Sequence, residues 1–345
     1  IQALEIIEAN PDRFKVVGLA AGGKNNELLQ AQGKKFGAKV GTGIAAATDL
    51  AAMDCEIVLN GISGSIGLSA TLCALAAGNK VALANKESLV AGGDLVMKYG
   101  RENIIPVDSE HSALYQALRA GKATEVNKMI LTASGGPFRD LEDLSTVTVE
   151  QALAHPTWSM GPVVTINSAT LMNKGLEIIE AHYLFDIPYS KIEAVIHPQS
   201  VIHSMVEFVD GSTIAQASPP NMKGPIAYAL SDGTRVNGAM NPIDWRKSSI
   251  WNFAPIDEVK FPAIRVAREV GVKGGGFTAI FNAANEVAVE SFLKGFIKFS
   301  DIVRNVEAVL SKFSNQSPFQ IRDLADVSAI ENDARAYSVQ LIKGV

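Results

Sequence analysis

Apolar positions along the chain fall into short blocks of two different periods. Ala3 to Glu8 has helical spacing and stops at Asn10-Pro11. "FKVVGLAAGGKN", residues 14–25, reads as a buried strand running into glycines. "CEIVLN", "KVALAN" and "NIIPVDSE" read as further strands, and "LSATLCALAAGN" as a helix closed by glycine. Between them "AQGKKFGAKVGTGIAAATDLAAM", residues 31–53, is low in complexity and has only a weak pattern. Short apolar strands alternating with helices predict a parallel sheet covered by helices, hence an α/β fold.

From Asp108 the pattern changes. "NKMILTASGG" predicts a strand into a glycine loop, and "SATLMNKGLEIIEAHYLF" one continuous helix. "IEAVIHPQSVIHSMVEFVDGSTIAQAS" alternates at period two and predicts antiparallel strands with a turn at Asp210-Gly211. Residues 230–262, with Pro242, Pro255, Trp245 and Trp251, lack a clear period and read as a long ordered connection. From Ala263 the spacing is helical and predicts a small bundle. The expected organisation is a Rossmann-like domain over 1–108, an α+β domain over 109–230, a connection over 231–262 and a helical domain over 263–345.

Composition narrows the function. A chain of 345 residues suggests two or three domains at about 100–200 residues each. Acids and bases are interspersed, with a net charge of -5, so neither a nucleic-acid stripe nor a polybasic membrane patch is present. No apolar run approaches the roughly 18 residues of a membrane span. Cys55 and Cys73 sit in apolar stretches and fit core thiols in a reducing, cytoplasmic compartment. No signal peptide is expected, and the opening helix suggests a start in mid-domain.

The candidate chemistry lies mostly in the middle. All five histidines, His111, His155, His182, His197 and His203, are there. Asp108 and Glu110 in "PVDSEH" would share a face in extended backbone. Such a pair is either a solvated strand end or part of an oxygen-ligand site for Mg²⁺ or Mn²⁺. Asn173, Lys174 and Glu177 neighbour one another on a helix, as an ion pair or as a further part of that site. Gly175 in that helix suggests close approach of another element. Glu180 and His182 read as solvated or structural. Ser134 with Gly135 and Gly136 suits a phosphate or an ordinary turn. "AHPTWSMG" reads as a lid or a packed loop. His197 and His203 would share a strand face and read as core or interface residues. "ANKESLV" places Asn85, Lys86 and Glu87 at a strand's C-terminal end, where α/β sheets bind ligands. "GISGSIG", residues 61–67, has glycine spacing like that of a dinucleotide loop.

Several phrases occur together and in order: "LANKESLVAGG", "PVDSEHSA", "LTASGGPFRD", "HPTWSMGP", "NSATLMNKGLEIIEAHYLF", "IHPQSVIHSMV", "QASPPNM" and "NAANEVAVESFL". They resemble the 1-deoxy-D-xylulose 5-phosphate reductoisomerase family of non-mevalonate isoprenoid synthesis, most closely its actinobacterial members. The resemblance implies a homodimer that binds NADPH and Mg²⁺ or Mn²⁺ and makes 2-C-methyl-D-erythritol 4-phosphate. In the family the skeleton rearranges by retro-aldol and aldol steps before hydride transfer. The implied metal ligands are Asp108, Glu110 and Glu177, with Lys86 assisting catalysis. The implied substrate contacts are Lys86, Ser109, Glu110, Ser134, His155, Trp158, Met160, Ser168, Asn173, Lys174, Glu177 and His203. Of these, Ser134, Ser168, Asn173 and Lys174 would hold the phosphate, and Trp158 and Met160 the lid. The implied cofactor contacts are Gly22, Gly23, Lys24, Asn60, Gly61, Ile62, Asn85, Glu87, Gly161 and Met222.

The sequence also departs from the family. The family's first strand and G-S-T-G-S-I-G loop would precede Ile1, and "GISGSIG" is a later turn of similar spacing. A further strand and helix are expected to be missing near residues 32–47. Asn167 stands where many members have Asp, and Lys223-Gly224 replaces a bulkier pair. The alternative is a non-catalytic chain that binds phosphosugar and metal but lacks the cofactor loop.

Overall fold

The computed structural model describes residues 1–23, 26–158, 160–315 and 319–344. Helix α1 (Gln2–Ala9) leads to β1 (Gly18–Ala21), α2 (Asn26–Phe36), β2 (Lys39–Thr42) and α3 (Gly43–Ala51). Strands β1 and β2 pair in parallel as a two-stranded sheet. The weakly patterned stretch is therefore helix, strand and helix. Its strand is only four residues long, and its small residues Gly33 and Gly41 let helix and strand pack at close range. A strand so short carries too few positions for a readable period.

A second sheet is parallel throughout: β3 (Ile57–Asn60), β4 (Lys80–Leu83) and β5 (Ile104–Pro106). Helix α4 (Leu68–Ala76) and α5 (Lys86–Met97) make the crossovers. Its strands are short apolar runs with Val81, Ala82, Leu83 and Ile105 buried, as a sheet covered on both faces requires. Its C-terminal edge delivers Asn60, Lys86 and Asp108 to one side of the molecule.

After β5 comes α6 (Ser109–Ala117), then β6 (Val126–Ala133) and α7 (Val149–Leu153). Helix α8 (Pro162–Ala169) and α9 (Met172–Phe185) follow, then β7 (Ile192–Ile196), β8 (Ile202–Phe208) and β9 (Thr213–Ala217). The third sheet has the order β10-β7-β6-β8-β9, where β10 is Ala254–Pro255. Strand β6 pairs parallel with β7 and antiparallel with β8. The antiparallel expectation thus holds for β8 and β9, whose turn contains Gly211 at φ 86. Strand β7 also runs opposite to β8, but the two do not pair because β6 lies between them.

The expected continuous helix at 168–185 is broken. Leu171 adopts a left-handed conformation (φ 58) between α8 and α9, although only 2% exposed. An aliphatic residue there costs roughly 1–2 kcal/mol, so surrounding packing must hold it. The break reorients α9 so that Asn173, Lys174 and Glu177 face the site described below.

Helix α10 (Lys223–Leu230) precedes the long connection, in which the two-residue β10 is the strand described. Helices α11 (Ala263–Lys273), α12 (Phe277–Leu293), α13 (Asp301–Phe313) and α14 (Leu324–Lys343) complete the chain. Phe277, Phe281, Ile280 and Val306 are buried among them. No helix among the described residues is long and apolar enough to cross a membrane. Cys55 and Cys73 are free and half-buried rather than fully enclosed.

Gly175 explains the α9–α11 crossing. A Cβ on it would lie 3.0 Å from the Ala267 Cβ and 3.1 Å from the Ala263 carbonyl oxygen. Both belong to α11 and cannot yield without moving that helix. Gly175→Ala should therefore lower the thermal midpoint. The helix-propensity gain of about 1 kcal/mol is outweighed by overpacking of about 1–3 kcal/mol. A raised midpoint in calorimetric melting would contradict the close-packing account.

Candidate active site

Two buried carboxylates, Glu177 and Glu180, two half-buried ones, Asp108 and Glu110, and two lysines meet where α5, α6 and α9 converge. Lys86 opens α5, whose N-cap Asn85 accepts the Ser88 N–H at 3.1 Å. Asp108 is the N-cap of α6, yet its side chain makes no capping hydrogen bond. It pairs with Lys86 instead, forgoing a cap that typically contributes about 1 kcal/mol. Lys86 Nζ also reaches Asn173 Oδ1 at 3.0 Å and Glu177 Oε1 at 3.2 Å. Lys174 Nζ joins Glu110 Oε1 at 2.8 Å and Glu177 Oε2. Ser109 Oγ donates to Glu110 Oε2 at 2.6 Å.

The expected triad Asp108, Glu110 and Glu177 is thus brought together, linked through two ammonium groups. The expected reason was wrong in part. Asp108 and Glu110 are not two positions of a strand, because β5 ends at Pro106 and Glu110 lies in the first turn of α6. They converge because helix entry, not pleat alternation, turns both inward.

Beneath this seam lie His111 and Glu180, each 0% exposed. Of the two readings of Glu180, solvated or structural, burial selects the structural one. Its position three residues after Glu177, on the same helix face, was the available signal. Among the described residues, ligand atoms of Asp108, His111 and Glu180 lie within 4.8 Å of one another. His111 Nε2 lies 2.9 Å from the Glu177 carbonyl oxygen, so it donates there and Nδ1 is left as acceptor. Nδ1 is 3.1 Å from Glu180 Oε2.

The charge states follow from burial and neighbours. Burial, reinforced by Asp108 and Glu177, raises Glu180 well above the usual carboxylate range. Burial and the nearby Glu110 also raise Glu177, against the pull of Lys174 and Lys86. Burial pushes Glu110 up too, but Lys174, Ser109 and Lys86 outweigh it and hold it well below the carboxylate range. Burial would lower Lys86, yet Asp108, Glu177 and Glu180 keep it charged, and Glu110 and Glu177 do the same for Lys174. The cluster retains excess negative charge and oxygen donors, which suit a hard divalent cation. Among the described residues Asp108 Oδ2 also lacks an aligned hydrogen bond. The residues present fit such an ion.

The seam opens into a cavity of about 480 Å³. Lys86, Asp108, Ser109, Glu110, Ser134, Trp158, Met160, Ser168, Asn173, Lys174, Glu177, His203 and Met222 all line it. His155 joins them indirectly. Its Nδ1 accepts the N–H groups of Thr157 (3.1 Å) and Trp158 (2.9 Å), so Nε2 carries the proton. Nε2–H lies 3.1 Å from Ser134 Oγ and 3.2 Å from Ser168 Oγ. Burial lowers the His155 pKa and favours this neutral form. Both serine hydroxyls can then donate outward. Gly135 (φ 82) and Gly136 (φ 62) shape the adjoining loop. Trp158 meets the His203 ring edge-on at 6.3 Å. His203 is buried on β8, whereas His197 lies beyond β7 and bonds the Asn252 carbonyl, so the two do not share a strand face.

The expected cofactor residues lie elsewhere around the site. Asn60 ends β3 and Gly61 and Ile62 follow it, while Asn85 and Glu87 follow β4. Gly161 caps α8, and Gly22 and Gly23 follow β1 at the surface. Among the described residues these do not line the cavity, although Met222 does. Lys24 lies outside the described residues. An added Cβ at Gly22, Gly61 or Gly161 would meet nothing within 4 Å, so open space adjoins each. Ser200 (φ 50) and Asn221 also line the cavity and had not been expected to. Asn221 sits in "QASPPNM", where neither period nor charge marks it.

Comparisons with known proteins agree on one family. Models of the 1-deoxy-D-xylulose 5-phosphate reductoisomerase C-terminal domain and the DXP reductoisomerase C-terminal domain match residues 104–185 and 217–337. The model of 1-deoxy-D-xylulose 5-phosphate reductoisomerase matches 1–41 and 33–93. The reductoisomerase of Leifsonia xyli subsp. xyli is 54% identical over 332 residues, covering 94% of this chain and 91% of the relative. That of Kitasatospora griseola is 50% identical over 374 residues, covering 99% and 97%. Among solved structures, the Zymomonas mobilis enzyme in complex with NADPH has 39% identity and a TM-score of 0.91, covering 100% and 96%. A DOX-P reductoisomerase in complex with NADPH, fosmidomycin and magnesium has 35% identity and a TM-score of 0.91, covering 99% and 95%.

His111 generates a pH prediction. Burial, chiefly, lowers its pKa from 6.5 to about 4. Between those values the unfolded chain binds a proton that the folded chain refuses. Stability should therefore fall as pH drops from about 6.5 to about 4. In chemical denaturation, His111→Gln should show a shallower loss across that window. An identical slope would contradict a neutral buried His111.

Proposed function

The chain belongs to the 1-deoxy-D-xylulose 5-phosphate reductoisomerase family, and on that premise we propose a function for its site. It is an NADPH-dependent enzyme that rearranges and reduces 1-deoxy-D-xylulose 5-phosphate to 2-C-methyl-D-erythritol 4-phosphate. The observation that carries this reading is the convergence of Asn60, Lys86 and Asp108 from consecutive strand ends of one parallel sheet. Ligands of open α/β sheets bind at that edge. Relatives that span nearly the whole chain support the enzyme rather than a non-catalytic phosphosugar-binding chain.

The phosphate belongs at Ser134, Ser168, Asn173 and Lys174. The two hydroxyls, oriented by His155, would donate to its oxygens, and Lys174 supplies charge. The sugar's reacting end then lies toward Lys86, Glu110 and Glu177. Asp108, Glu110 and Glu177 would hold the divalent ion, magnesium or manganese. Bound there, that ion supplies Lewis-acid chemistry at the substrate oxygens. Lys86, held protonated, can donate to an oxygen that gains negative charge. Ser109 and Asn173 fix the carboxylates around it.

NADPH would lie along Asn60, Gly61, Ile62, Asn85, Glu87 and Gly161, with Gly22, Gly23 and Lys24 further out, and would supply the hydride. Met222 would close the nicotinamide side, and Trp158 and Met160 would cover the sugar and exclude water. The four-part division at residues 108, 230 and 262 is part of the same reading. So are a homodimer and a cytoplasmic location, which the free thiols suit.

With Mg²⁺ or Mn²⁺ present, adding 1-deoxy-D-xylulose 5-phosphate should make the intact protein oxidise NADPH. No oxidation would refute the function. Glu177→Gln should keep the fold and lower kcat by more than about 100-fold, the scale of losing one well-placed electrostatic contact. Near-normal kcat would refute the three-carboxylate site.

A further inference from the structure

The loop that follows β3 is tied to helices more than two hundred residues away. It begins at Asn60, whose side chain donates to the Gly67 carbonyl (2.9 Å) and Thr71 (2.8 Å) and accepts the Ile62 N–H (3.1 Å). Asn85 binds the carbonyls of Ile62 (2.5 Å) and Gly64 (2.9 Å). These anchors come from the sheet's own strand ends. A third anchor comes from α12 and α14. Ser65 Oγ donates to Glu331 Oε2 at 2.7 Å, and Ser65 and Glu331 are 9% and 8% exposed. Arg335 Nη2 lies 3.4 Å from Ser65 Oγ and 2.6 Å from Glu286 Oε2. Asn282 orients Glu286 from the preceding helical turn at 3.0 Å. Gly64 is left-handed (φ 82), and a Cβ there would approach Glu286 Oε1 to 3.3 Å.

A partly buried ionic link is a poor way to gain stability. Desolvating Glu331 costs several kcal/mol, and apolar side chains of similar volume hold helices to a loop at least as well. Its remaining oxygen, Oε1, has no hydrogen-bond partner among the described residues and lies 3.8 Å from Arg335. What such a link supplies instead is a defined position. The segment it positions contains Gly61 and Ile62, which adjoin the cofactor space.

We propose that Glu331, supported by Arg335 and Glu286, is a positioning residue that fixes the 61–67 loop for NADPH. The C-terminal helices thereby set affinity for the dinucleotide without touching the phosphosugar. This rests on the reading of residues 60–62 as part of the NADPH site.

The test uses the full chain and compares wild type, Glu331→Ala and Glu331→Gln. Glu331→Ala should raise KM and Kd for NADPH about 10-fold (about 1.4 kcal/mol). KM for 1-deoxy-D-xylulose 5-phosphate should stay within about two-fold, below the effect of one lost hydrogen bond. Glu331→Gln keeps an acceptor for Ser65 and should recover most of the NADPH affinity. Amide hydrogen exchange of ligand-free protein should quicken at residues 61–67 in Glu331→Ala. A lower thermal midpoint with unchanged NADPH affinity would overturn the inference and leave a purely structural contact. Equal rises in both KM values would overturn it as well. Wild-type protein that binds no NADPH would overturn the functional reading and this inference with it.

Discussion

Burying several carboxylates at one point is the constraint from which the rest of the structure follows. Asp108, Glu110, Glu177 and Glu180 come from two helices and have little access to water. An uncompensated buried charge costs several kcal/mol. Lys86 and Lys174 therefore have to lie within bonding distance, and the helices bearing them must be placed accordingly. That requirement accounts for local features that look unfavourable alone. Asp108 forgoes its cap, Leu171 stays left-handed, and Gly175 gives up helix propensity so that α11 can press α9 into place. The N-terminal ends of α5 and α6 point toward the cluster, and their dipoles favour negative charge there.

The molecule separates the tasks of this site in space. In the proposed reading the charged seam would hold what reacts, and the Ser134–His155–Ser168 bridge would hold the phosphate. His155 also accepts two backbone N–H groups of the Trp158 segment. Binding energy from the remote phosphate would then be coupled to closure over the reacting end. The strand ends after β3 and β4 form a third region, held by Asn60 and Asn85.

Much of this was legible in the chain, through residue types more than through periods. Residue type and spacing singled out Lys86, Asp108, Glu110, Asn173, Lys174 and Glu177 but left bland readings open, and the resemblance to the family gave them their roles. The geometry behind them was less legible. Asp108 and Glu110 were read on a strand because "IIPVDSE" continues an apolar run, whereas the chain turns into α6 after Pro106. The helix at 168–185 was read as continuous because Leu171 is a good helix former, and only tertiary packing imposes its positive φ. Glu180 was left open between a solvated and a structural role because a carboxylate alone on a helix is usually exposed. The helix–strand–helix at 26–51 stayed hidden because four-residue strands and small side chains leave no pattern. In each case a distant contact decided what the local sequence left open.

The central claim is that Asp108, Glu110 and Glu177 together hold a divalent cation. Calorimetric titration of the intact protein with Mn²⁺ tests it most directly. The account predicts one saturable site per chain, lost in Glu177→Gln while the fold and thermal midpoint are kept. Undiminished Mn²⁺ binding by that variant, or no binding by the wild type, would contradict it.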